Sequence, residues 1–167
     1  LHTSPLQFSI LGFGAAAGGI VGGWTASWVS RTLGPGRSLL FTMASTIVTG
    51  IIIGSTSWWP TVLIVEFFIT LGTITWNVIT VSLRQQIIPD HLLGRVNSVY
   101  RFFGWGMGPL GGALGGLVMV IGAHWVSREM SLRLPWFAAA VLTVPVILYA
   151  APKLTTRHIE AARAAQP

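Results

Sequence analysis

Apolar residues fall in five long blocks, separated by short segments that hold most of the charged and turn-forming residues. The blocks run over about 5–30, 38–57, 59–83, 95–122 and 135–151. None of them alternates apolar and polar with period two, as a membrane barrel strand does. A helix crosses a hydrocarbon core of about 30 Å with about 20 residues, and the shortest block, the last, reaches the low end of that range at about 17. Lipid supplies no partners for backbone amides, so each block must satisfy its own, and the helix is the remaining way to do that. The pattern predicts an all-α, polytopic membrane helix bundle of five transmembrane helices over 1–153, followed by a cytoplasmic tail over 154–167.

The connections fit that reading. Arg31-Thr-Leu-Gly-Pro-Gly-Arg37 is a tight turn with a cation at each end, and Ser55-Thr-Ser-Trp-Trp-Pro60 is short and uncharged. Arg84 to Arg95 is longer and basic, and His124 to Arg133 is mixed. Pro5, Pro60 and Pro135 are expected to open three spans, where a missing N–H costs nothing. Asp90, after Pro89, is expected to cap the segment that enters the fourth span.

Composition narrows the class. Of the 167 residues, 52% are hydrophobic and 8% charged, against roughly 25% charged in soluble domains. So few charges cannot cover a soluble surface, and disorder needs the opposite balance. The net charge of +6 does not point to nucleic acid, because the ten Lys and Arg residues are scattered singly between apolar runs. Cysteine is absent, and the four histidines (His2, His91, His124, His158) form no ligand spacing, so no metal and no cofactor is expected. No charged n-region with a cleavage site follows Leu1, and the chain reads as a piece of a longer protein, integral to the cell membrane and without a signal peptide.

The cations set an orientation. One side of the expected bundle carries Arg31, Arg37, Arg84, Arg95, Arg101, Lys153, Arg157 and Arg163, the other only Arg128 and Arg133. The excess marks the cytoplasmic side, which puts the N-terminus of the chain outside and its C-terminus inside. Trp58, Trp59, Trp125 and Trp136 then fall at the outer interface and Trp24 and Trp28 near the inner one, as an aromatic belt requires.

Two spans are rich in glycine. Gly14, Gly18 and Gly22 in the first, and Gly104, Gly108, Gly112 and Gly116 in the fourth, recur every four residues. That spacing lays small residues along one ridge, where another helix can approach closely. Pro109, within the second ridge, is a candidate kink.

The third span carries a polar line. At about 100° per residue, Glu66, Thr70, Thr73, Asn77, Thr80 and Arg84 lie within about 40° of one another's mean direction. Glu66 is the one acidic residue inside an expected span, about 9 Å below the outer end at 1.5 Å per residue. A carboxylate at that depth faces a water-filled cavity or a partner. The reading leaves both open: a substrate-cation or proton contact, or a structural bond to a neighbouring helix. Asn77 divides in the same way between lining a cavity and joining helices. Inside the spans there is no acid–base pair, Ser/His arrangement or metal-ligand cluster, so an enzyme is not expected.

The stretch Arg84-Gln-Gln-Ile-Ile-Pro-Asp-His-Leu-Leu-Gly-Arg-Val-Asn-Ser-Val-Tyr-Arg101, followed by Gly104 to Gly116, resembles the connection between helices ten and eleven of the major facilitator superfamily. The resemblance is to its bacterial branch of drug, macrolide and siderophore exporters. Gly22 to Arg37 resembles the eighth-to-ninth turn of that branch, with Ser30 where the strong form of the motif has an acid. Gly108-Pro109-Leu110-Gly111-Gly112 resembles the family's antiporter motif, in a different helix and with a shorter spacer. The resemblance implies a partial major-facilitator fold, helices eight to twelve, with the missing N-terminal half of the same protein as its partner. It implies alternating access and proton-coupled export of a hydrophobic or amphipathic small molecule, surrounded by membrane lipid. On this reading Glu66 is the cation or proton contact, Thr70, Thr73 and Asn77 line the path, and Arg84, Arg95 and Arg101 form the cytoplasmic gate and anchor. The alternative is a non-transporting scaffold or assembly protein held together by its glycine ridges.

Overall fold

The computed structural model describes residues 4–155. The expectations placed on His2, Arg157, His158, Arg163 and nearly all of the tail fall outside that range. The described residues form five helices: α1 (Pro5–Leu33), α2 (Pro35–Ser55), α3 (Trp59–Ile87), α4 (Asp90–Gly122) and α5 (Arg128–Ala150). All five are long and apolar enough to cross a membrane. The fold class expected from the sequence, an all-α membrane helix bundle, is the one found.

The helix ends follow local chemistry. At the start of α1 the Ser4 hydroxyl accepts from the Gln7 amide and the Gln7 side chain accepts from the Ser4 amide, a reciprocal cap, with Pro5 next. The helix runs on to Leu33 and stops at Gly34, whose φ of 79° and ψ of 151° lie in a region open essentially to glycine alone. Pro35 then starts α2 at once. The Ser38 hydroxyl, fully buried, bonds the carbonyls of Val29 and Gly34 and ties the turn down. Gly34→Ala should therefore lower stability by about 1–3 kcal/mol. Thermal unfolding in detergent reads this directly, and an unchanged midpoint would contradict it.

Two expected ends differ. Asp90 does not cap α4; Pro89 holds the cap position, and Asp90 sits in the first turn, where its carboxylate still opposes the positive end of the helix dipole. Pro135 does not open α5 but lies inside it, as Pro145 does. The helix starts seven residues earlier because the Ser127 hydroxyl accepts from the Met130 amide and Glu129 occupies the first turn.

In space the helices follow the order α1, α3, α2, α5, α4, judged by which pairs pack most extensively. The interior is built of small and hydroxyl residues. Its fully buried side chains include Ser38 and Ser131, and its buried apolar side chains are Ala26, Leu39, Val62, Val65, Ile79 and Ala140. Large apolar groups point outward, Trp24 and Trp105 at 80% exposure and Phe13 at 73%. Between helices in lipid there is no hydrophobic force, and close packing of small residues takes over. The distribution suits that medium.

The α1 glycine ridge is packed. A methyl group on Gly14 would lie 2.7 Å from the Leu63 carbonyl oxygen, one on Gly18 2.1 Å from that of Phe67, and one on Gly22 2.7 Å from that of Leu71. Both helices advance in steps of four in the same sense, so α1 and α3 run parallel with their backbones in contact. At the α2–α5 contact, Gly50 faces the Trp136 carbonyl and Ala140, and Gly54 faces the Phe137 ring. Arg133 fastens one end of the same pair: it pairs with Glu129 at 2.8 Å and donates to the Ser57 hydroxyl and the Ser55 carbonyl.

Candidate functional site: the polar face of α3

Helix α3 is the hub of the bundle, with α1 along one side and α2 along another. Its α1 side presents Leu63, Phe67, Leu71 and Ile74 to the glycine ridge. Its other side, with Ile69, Gly72 and Trp76, borders a crevice shared with α2 and α5. The expected polar line lies between these two sides. Along it Glu66, Thr70, Thr80 and Arg84 are half-buried, and Thr73 and Asn77 are exposed. None of the line is sealed inside the bundle.

The hydrogen bonds give this face a sign. The Thr73 hydroxyl donates to the Ile69 carbonyl, the Thr80 hydroxyl to that of Trp76, and the Asn77 amide nitrogen to that of Thr73. These bonds occupy both hydroxyl protons and one of the two Asn77 N–H groups, which leaves hydroxyl lone pairs, the Asn77 side-chain oxygen and one amide N–H unspent. Glu66 adds a carboxylate and makes no hydrogen bond or ion pair among the described residues. Thr70 turns its methyl toward Gly19. From Glu66 to Asn77 the face therefore presents mainly acceptors, the pattern that suits a proton, a cation or a donor-bearing solute.

A guanidinium closes the line. Arg84 stacks on the Tyr100 ring of α4, 3.6 Å from its centroid, and its Nε and Nη1 are shut from solvent with no acceptor. Arg95 and Arg101 are exposed on α4 and make no ion pair among the described residues. The three arginines expected to act as a gate and anchor share one end of the bundle by connectivity, and among the described residues no acidic side chain pairs with any of them.

The α4 ridge differs from that of α1. A methyl group on Gly104, Gly108, Gly112 or Gly116 would meet nothing within 4 Å among the described residues. Helix α4 continues through Pro109, which removes the N–H that would bond the Trp105 carbonyl.

The crevice itself was not expected. It is a half-open space of about 430 Å³, lined from α2 by Thr42, Ser45, Thr46 and Thr49, from α3 by Thr73 and Trp76, and from α5 by Trp136. The signal for it is present in the sequence, as hydroxyls at i, i+3, i+4 and i+7 along α2, which is the helical spacing of a single face.

Comparison with protein-family models, with curated proteins and with solved structures finds no match for this chain.

Proposed function

We infer that this chain is part of a secondary active transporter that moves a hydrophobic or amphipathic small molecule across the cell membrane by alternating access, coupled to protons. The observation that carries the reading is the α3 face. It holds an unpaired carboxylate at Glu66 and a run of acceptors through Thr73 and Asn77, each at least partly exposed, and it ends on the guanidinium of Arg84. In lipid such a line is costly unless it meets water or a partner.

The likeness of Arg84–Arg101 and the following glycines to the major facilitator superfamily supports the same reading and suggests outward export. On it, the open ridge of α4 receives helices from the other half of the transporter. The eight cations assigned above to one side make that side cytoplasmic.

Cysteine labelling tests the idea, and these 167 residues contribute no cysteine of their own. In the complete protein in membranes, Thr73→Cys and Asn77→Cys should react with a small water-soluble thiol reagent, and Phe68→Cys, on the apolar side, should not. Protection of both positions would favour the scaffold reading, in which the polar face lies against another helix.

A further inference from the structure

The crevice between α2, α3 and α5 shares Thr73 with the polar face of α3, but its α2 hydroxyls and its two indoles have no part in the transport reading. Its volume of about 430 Å³ lies in the range of small-molecule sites. Gly72 opens it: a methyl there would meet only the Ser45 hydroxyl, at 3.5 Å.

Every hydroxyl on the wall has its proton committed to its own helix. Thr42 donates to the Leu39 carbonyl at 2.8 Å, Ser45 and Thr46 to that of Thr42 at 2.7 and 3.2 Å, and Thr49 to that of Ser45 at 2.9 Å. Thr73 does likewise with Ile69 at 2.8 Å. Five hydroxyls thus offer lone pairs to an occupant, against two indole N–H donors, those of Trp76 and Trp136.

No Asp, Glu, Lys, Arg or His lines the space. An ammonium or carboxylate held there, midway along three spans, would lack a counter-charge and be expelled by its desolvation cost. Trp76 and Trp136 add aromatic surface, which favours a flat ring packed offset or edge-on.

We propose that the α2–α3–α5 crevice binds a neutral, flat aromatic molecule that carries an O–H or N–H donor, of which a phenol is the simplest form. The ring packs with the two indoles and the donor bonds the α2 hydroxyls. The site needs neither Glu66 nor Arg84, so it stands whether or not the chain transports.

The test is equilibrium dialysis of the purified full-length protein in detergent micelles, with protein-free micelles to subtract partitioning. The probes are 2-naphthol, its methyl ether 2-methoxynaphthalene, which lacks the donor, and 2-naphthoate, which is charged. Naphthol should bind saturably, and the ether should bind about fivefold to tenfold more weakly, the value of one net hydrogen bond. Ser45→Ala combined with Thr46→Val should weaken naphthol by a similar factor and leave the ether unchanged. Gly72→Ala, which fits by geometry, should weaken both by reducing the space, and it serves where the double variant does not fold. Glu66→Gln should bind naphthol as the parent does, which separates this site from the transport reading. Equal affinities for naphthol and its ether, tighter binding of naphthoate, or no saturable binding at all would each overturn the proposal; the last would leave the crevice to lipid chains.

Discussion

Gly18→Ala should unseat α1 from α3 and cost about 3 kcal/mol, the upper end of what overpacking brings. The added methyl would lie 2.1 Å from the Phe67 carbonyl oxygen and 2.8 Å from the carbonyl carbon. Both atoms belong to a backbone locked into its own helix, so no rotamer change relieves the clash. The helices must separate, and separation also breaks the close contacts at Gly14 and Gly22, which depend on the same register. Two other glycines are internal controls. At Gly12 and Gly106 a methyl meets nothing within 4 Å, so alanine there should be neutral or stabilise by up to about 1 kcal/mol through helix propensity. Unfolding of the purified protein in mixed micelles, followed by tryptophan fluorescence, measures all three. If Gly18→Ala unfolds at the same denaturant as Gly12→Ala, the parallel α1–α3 contact is not what holds the first helix.

The contrast between the two ridges marks where sequence reading stops. Spacing by four identified both, and it correctly implied close backbone approach for the first. It could not tell which ridge finds a partner among the same five helices, because a sequence gives the shape of a face and not what stands opposite. The number and placement of the helices were legible because the hydrocarbon core imposes a length that apolar blocks must match. Their ends were less so. Pro135 reads as a start by its missing N–H, yet Ser127 and Glu129 offer a better start about two turns upstream, and proline is tolerated within a membrane helix. The polar line of α3 was legible as a direction on a helix; that the Thr73 and Thr80 hydroxyls and one Asn77 N–H turn back onto their own backbone was not, since that depends on rotamers. The hydroxyl row of α2 was passed over because single threonines bond their own helix in most spans and signal little. Only the facing Trp76, Trp136 and Gly72, from helices distant in sequence, make it a wall.

The Arg84–Tyr100 stack shows the same limit from another side. Arg84 was expected at the inner end of the line by periodicity alone, but its aromatic partner lies on the next helix. A guanidinium over a ring face gains about 0.5–2 kcal/mol, according to how dry the site is. The two nitrogens left without acceptors work against that gain, since a buried donor without a partner forfeits its hydration. The contact between α3 and α4 is therefore a modest one, at the place where α4 has few other ties to the hub.

Glu66→Gln should reduce gradient-driven transport by the complete protein to background while leaving insertion and folding intact. The substitution preserves length, shape and one carbonyl acceptor, so an ordinary packing or hydrogen-bonding role at this position would survive it. What is lost is the ability to carry a negative charge and to take up and release a proton. Glu66 has no cationic partner among the described residues, so its charge is not consumed by a structural ion pair and remains for a transported cation or proton. Membrane vesicles loaded with an amphipathic fluorescent dye such as ethidium, and given a proton gradient, report the coupled rate. Dye exchange without a gradient reports passage alone. Loss of the first with retention of the second assigns Glu66 to proton coupling; loss of both assigns it to contact with the solute. Glu66→Asp, which restores the charge one methylene shorter, should recover part of the coupled rate. Full gradient-driven transport by Glu66→Gln, in protein shown to be inserted at parental levels, would remove the carboxylate from the mechanism and leave the acceptors of Thr73 and Asn77 as lining without a coupling group.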